Sequence, residues 1–199
     1  MKGTGNKSGT DIDLFISLSE STNETLKEIY DKLFAAMASY SPTRQNVSIN
    51  VKVSGYSVDL VPGKRQGFLS NDHSLYRRKA DTWTKTNVVT HINRVAGSGR
   101  VNETRIVKLW RNQKRLDFPS FYVEMTVIEA LSGQIFGTLA ENVWKVFQYL
   151  RDRFPNARVV DPANTNNIIS DDLSAADKAK IKAAAEQALR ATDWSQIVV

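Results

Sequence analysis

The stretch Thr10-Asp11-Ile12-Asp13-Leu14-Phe15-Ile16-Ser17-Leu18 decides the fold. Its apolar residues recur at every second position, the period of a β-strand, so residues i and i+2 share a face. That alternation aims Ile12, Leu14, Ile16 and Leu18 into a core, and Asp11 and Asp13 toward the opposite face. Aspartate is depleted in strands, so two of them inside an apolar alternation need a reason. Carboxylates this close repel unless a positive charge lies between them, and the hard cation Mg²⁺ prefers carboxylate oxygen. A second strand-like run, Tyr56-Ser57-Val58-Asp59-Leu60-Val61-Pro62, brings a third carboxylate in a matching setting. Three carboxylates on two adjacent strands can hold two metal ions about 3.5–4 Å apart. Beside a Gly- and Thr-rich loop the pattern points to metal-assisted chemistry on a phosphate. The plainer reading of Asp11 and Asp13 is a solvated strand end.

Composition excludes several classes. The 199 residues suffice for one domain, or a domain with a lobe. Hydrophobic content of 41% and charged content of 24% fit a soluble globular chain. No apolar run reaches the length of a membrane span, and the N-terminus has no signal-peptide core, so the cytoplasm is the expected location. Cysteine is absent, which removes disulfides and thiolate metal sites, and His73 and His91 are too few for a His-rich zinc site. No Gly-x-Ser-x-Gly elbow is present. The net charge of +6 favours polyanionic partners, and a solvated basic face with no partner is the equally open reading. Its basic residues cluster at Lys64-Arg65, at Arg77-Arg78-Lys79 and between Arg100 and Arg115, which suits a surface lined for phosphate.

Along the chain, Ser21-Thr22-Asn23-Glu24 has capping-box spacing, and Leu26, Ile29, Tyr30, Leu33, Phe34 and Met37 follow at helical period, predicting a helix over 22–39. Val47, Ile49, Val51 and Val53 alternate, Ser54-Gly55 turns the chain, and Tyr56–Val61 returns as a hairpin strand broken by Pro62-Gly63. Residues 63–87 have weak periodicity and read as loop with short pieces of structure. Helices are expected over 87–97, 102–114, 120–132 and 138–153, with a loop over 161–167 and a last helix from Ser174. The order implies an α+β lobe over 1–86 followed by a helical lobe over 87–199, with a ligand cleft between them.

Taken in order, these motifs resemble the nucleotidyltransferase superfamily of DNA polymerase β type. Within it they resemble the bacterial second-messenger oligonucleotide synthases, the cyclic GMP-AMP synthase and DncV-like group. The residues that carry the resemblance are Lys2-Gly3-Thr4 before Ser8-Gly9-Thr10-Asp11-Ile12-Asp13-Leu14; Val58-Asp59-Leu60-Val61-Pro62; Thr104-Arg105-Ile106-Val107-Lys108-Leu109-Trp110; Ser120-Phe121-Tyr122-Val123-Glu124; and the run from Asp161-Pro162 to Asn167. The resemblance implies a polymerase β-like mixed sheet lobe followed by a helical lobe. It implies Asp11, Asp13 and Asp59 as catalytic ligands of Mg²⁺, with Mn²⁺ as the alternative. It implies that Lys108 and Arg111, on one helix face at i and i+3, reach a triphosphate, that Ser120 hydrogen-bonds phosphate, and that Phe121 stacks on a base. Lysine is the family's usual residue at the position of Arg111, which keeps the charge. The plainer alternatives are a solvated helix residue for Lys108 and a core aromatic for Phe121.

The resemblance also implies a Gly-Ser turn and a helix ahead of Lys2-Gly3-Thr4, at positions before Met1. The chain is then either part of a longer protein or a shortened form in which Thr4, Ser8 and nearby amides cover some triphosphate contacts. The implied activity joins nucleoside triphosphates into a cyclic or linear oligonucleotide for anti-phage signalling, under a nucleic-acid or protein activator and without a membrane partner. Two alternatives stand beside it: transfer of a nucleotide to RNA, protein or a small molecule, and an inactive nucleotide-binding module.

Overall fold

The computed structural model describes residues 1–6 and 12–199. They form two compact units: one runs from β1 to Thr90, and the other joins the described N-terminal residues to His91–Val199.

The first unit is built on β1 (Ile12–Leu18), α1 (Leu26–Ala36), β2 (Thr43–Arg44), β3 (Ile49–Val53), β4 (Tyr56–Arg65), β5 (His73–Arg77) and β6 (Thr82–Thr86). These strands make one sheet in the order β2-β3-β4-β5-β6, with β1 parallel to β4. A parallel pair needs a crossover, which α1 and the β2–β3 segment supply. One edge of β4 carries β1 along Val58–Lys64. The other edge carries β3 along Tyr56–Leu60 and then β5 at Lys64 and Arg65.

This arrangement corrects the expected break at Pro62-Gly63, because β4 runs straight through it. A proline is tolerated there since residues 61–63 lie between the β3 and β5 ladders, where that edge has no partner strand. Gly63 is required for space: a Cβ there would lie 2.5 Å from the Phe15 ring tip and 3.0 Å from Leu75 Cδ2.

Helix α1 covers one face of the sheet, with Tyr30, Ile49, Val51, Val58, Leu60 and Tyr76 forming the core. Its cap is Thr25, whose side chain accepts from the Glu28 amide while the Glu28 carboxylate accepts from the Thr25 amide. The expected start near Ser21 is thus one turn early. Ile16 joins this core at its margin, whereas Ile12 and Leu14 are 42% and 51% exposed. The core-facing role expected of Ile12 and Leu14 is corrected accordingly, since no described element buries that end of β1. The loop expected over 63–87 is also corrected, because β5 and β6 pair as a hairpin through it.

The second unit contains α2 (Val88–Ala96, entering from the first unit), α3 (Val101–Gln113), α4 (Ser120–Ala130), α5 (Leu139–Asp152), β7 (Val160–Asp161), β8 (Asn164–Ile168) and α6 (Ala175–Leu189). Residues Tyr122–Val127 of α4 are all buried, so α4 is the central helix of the unit, packed on every side. Trp110, Phe118, Tyr122, Phe147 and Phe154 form its aromatic core. The loop expected over 161–167 is replaced by the short β7–β8 hairpin. Among the described residues no helix is long and apolar enough to cross a membrane.

Candidate functional site

Parallel register places Asp13 directly beside Asp59. Val58 and Leu60 pack under α1, so the intervening Asp59, and Asp13 with it, stand on the opposite face of the sheet. Asp13 is exposed and Asp59 half-buried. Asn50, the antiparallel register partner of Asp59, donates from Nδ2 to Asp59 Oδ1 at 2.7 Å and to Ser57 Oγ at 2.8 Å. The amide therefore fixes the orientation of one carboxylate. Asp11 lies outside the described residues. Among the described residues no group of three acidic or imidazole side chains gathers around one point. The donor set of Asp13 and Asp59 is hard oxygen only, which fits Mg²⁺ or Mn²⁺.

Further along the same face, the edge of the Phe15 ring meets His73 at 4.9 Å. His73 Nδ1 lies 2.9 Å from the Asn71 carbonyl and so carries the proton, leaving Nε2 to accept from Ser17 Oγ at 2.8 Å. This contact of the buried His73 with the exposed Ser17 links β1 to β5 beyond the acidic residues.

The second unit gathers the remaining sequence-predicted residues at the junction of α3 and α4. Arg111 donates to the Phe118 carbonyl at 2.7 Å and to Ser120 Oγ at 3.1 Å, so its guanidinium fastens the start of α4. Ser120 is exposed at that helix end, where the first amides of a helix lack intrahelical partners and such an end favours an anion. Phe121 is half-buried, its ring 4.4 Å from that of His91, with Lys2 Nζ 4.3 Å above it.

Lys108 is buried rather than presented to solvent. Its Nζ donates to Glu124 Oε1 at 2.7 Å and to Thr4 Oγ1 at 3.0 Å. Glu124 also accepts from Thr4 Oγ1 at 2.6 Å and, through Oε2, from Lys2 Nζ at 2.8 Å. Burial lowers the Lys108 pKa from its ordinary value, and the adjacent carboxylate opposes that shift. At Glu124 burial acts to raise the carboxyl pKa, but Lys2 and Lys108 outweigh it and hold it below the usual range.

His91 Nε2 lies 2.7 Å from Asp161 Oδ1, which also accepts from the Ala163 amide at 2.8 Å. Asn167 Nδ2 donates to Asp161 Oδ2 at 3.1 Å. Burial raises the Asp161 pKa, the hydrogen bonds from His91, Ala163 and Asn167 lower it, and the net shift is downward. This network backs the His91 ring against Phe121.

Asp13 and Asp59 thus stand together in one unit, and Lys108, Arg111, Ser120 and Phe121 in the other. Sequence reasoning assigned no task to Asn50, Lys2 or Glu124. A signal existed for the last: Glu124 is the one charged residue in the buried run Tyr122–Val127, and such a group needs a partner. Nothing local identifies that partner.

No protein-family model and no curated protein matches the sequence. Solved structures do match the fold. CdnC of E. coli MS115-1, solved with ATP, aligns at a TM-score of 0.76 with 19% identity over 98% of this chain and 79% of that one. The CD-NTase CdnG of Bradyrhizobium diazoefficiens, in complex with GTP, aligns at 0.69 with 15% identity over 98% and 78%. E. coli DncV in its 3′-deoxy GTP bound form aligns at 0.70 with 11% identity over 99% and 62%. The fold is that of the CD-NTase nucleotidyltransferases, an α+β architecture as the strand and helix pattern implies.

Proposed function

We propose that this chain, which carries the CD-NTase fold, is a metal-dependent nucleotidyltransferase. It joins nucleoside triphosphates into a cyclic or linear oligonucleotide second messenger and expels pyrophosphate. The observation that carries the reading is the register pairing of Asp13 with Asp59 on one sheet face. These two residues, with Asp11 as the third ligand read from sequence, would hold Mg²⁺ or Mn²⁺. When bound, such an ion lowers the pKa of an attacking hydroxyl and neutralises phosphate charge.

The chain's own groups supply the rest. Asp59, oriented by Asn50, would accept the proton of a 3′- or 2′-hydroxyl. Arg111 and Ser120 would grip phosphate at the start of α4, where the free amides favour anions. Lys108 would act as a fixed positive charge, since its ammonium is held inside the unit. Phe121, with Lys2 over its ring and His91 beside it, would line the nucleotide site.

The likeness to CD-NTases extends the proposal to signalling against phage in a bacterial cytoplasm. A CdnC structure is a complex with HORMA-deltaN, and the net charge here is +6, so either a protein or a nucleic acid would serve as activator.

The test is incubation with α-labelled ATP, GTP, CTP and UTP in Mg²⁺ or Mn²⁺, followed by phosphatase digestion and chromatography. A phosphatase-resistant labelled product is expected. Label appended to added RNA or protein would reassign the acceptor. Nucleotide binding without product or pyrophosphate would make the chain a non-catalytic binding module.

A further inference from the structure

The centre of the cationic cluster is a carboxylate. Glu124 is 2% exposed, and each of its oxygens receives an ammonium group, Lys108 on Oε1 and Lys2 on Oε2. A buried negative charge among groups suited to phosphate opposes phosphate binding directly. Its placement makes sense if it acts through its partners. Lys108 is enclosed, but the Lys2 side chain is 28% exposed and its ammonium stands 4.3 Å over the Phe121 ring. Thr4, 3% exposed, is anchored to the same carboxylate, so the short Lys2-Gly3-Thr4 segment is fastened at two points.

We infer that Glu124 is a positioning residue that holds the Lys2 ammonium over Phe121, where Lys2 meets the phosphate of a bound nucleotide. The inference rests on the nucleotide reading proposed above. It adds the N-terminal residues to the ligand site and gives the buried carboxylate a task. Lys2 acts as a point charge toward phosphate, and Glu124 keeps its flexible stem from wandering.

The experiment measures the affinity of a fluorescent ATP analogue in Mg²⁺ for the full chain and for Lys2→Ala, Glu124→Gln and the double variant, with melting temperatures alongside. Lys2→Ala is expected to weaken binding about tenfold, the size of one charge-assisted contact, with the melting temperature nearly unchanged. Glu124→Gln is expected to weaken binding at least as much, and adding Lys2→Ala to it should cause no further loss. Lys2→Arg should restore most of the affinity. Where Glu124→Gln does not fold, Lys2→Ala decides alone, because it leaves the Lys108–Glu124 pair in place. Wild-type affinity in Lys2→Ala, tighter binding by Glu124→Gln, or independent losses in the double variant would each overturn the inference. A wild-type chain that binds no nucleotide would overturn the proposed function along with it.

Discussion

Asn50 is the residue that orients one of the two paired carboxylates, Asp59. Its amide spans Asp59 and Ser57 and has no charge of its own. Groups that orient a metal-binding carboxylate are worth about 10–100-fold in metal affinity or activity. Asn50→Ala is therefore expected to raise the Mg²⁺ concentration for half-maximal turnover by about tenfold, with little change in stability; a metal titration of pyrophosphate release checks it. Asp161 offers a second test at this scale. Its folded pKa is depressed, so its ionised form contributes stability that is present above the unfolded value of about 3.9 and lost as pH falls through the folded value. The melting temperature should drop below about pH 4, and Asp161→Asn, already less stable at neutral pH, should show a shallower drop. That Asp13 and Asp59 lie on adjacent strands and face away from the core was legible from strand period; their direct register pairing was not. The partners of Glu124 were not, because Lys108 and Thr4 stand 16 and 120 residues away and no local pattern encodes such separations.

Two overlapping signals compete for the start of α1. Ser21-x-x-Glu24 and Thr25-x-x-Glu28 have the same spacing, and the sequence reading noted only the first. The fold uses the later, where Thr25 and Glu28 exchange hydrogen bonds. Thr25→Ala is expected to cost about 1 kcal/mol in chemical denaturation, and Ser21→Ala only a few tenths. Elsewhere, strong helical periodicity located α2 to α6 to within a few residues. The β5–β6 hairpin was missed because His73–Arg77 alternates poorly and its turn is irregular, with Asp81 at φ 46°. The run Thr82-Trp83-Thr84-Lys85-Thr86, rich in β-branched residues, carried a usable strand signal. The continuation of β4 past Pro62 was hidden for another reason. A proline ends a strand only where its missing N–H matters, and only the sheet order shows that it does not.

On the scale of the whole molecule, the division falls between Thr90 and His91, inside α2, and the first residues belong with the helices rather than the sheet. Sequence reading put the boundary at 86/87 and assigned the N-terminus to the sheet lobe, because proximity along the chain is its only guide to membership. The chemistry is divided the same way: carboxylates suited to a divalent cation in one unit, cations suited to phosphate in the other. The proposed transfer reaction calls on both sets. The measurement that bears most directly on this account is the rate of pyrophosphate release from mixed nucleoside triphosphates in Mg²⁺, wild type against Asp59→Asn. Release by the wild type and a loss of about a thousandfold in the variant are expected. Equal rates in the two proteins would contradict the proposed function.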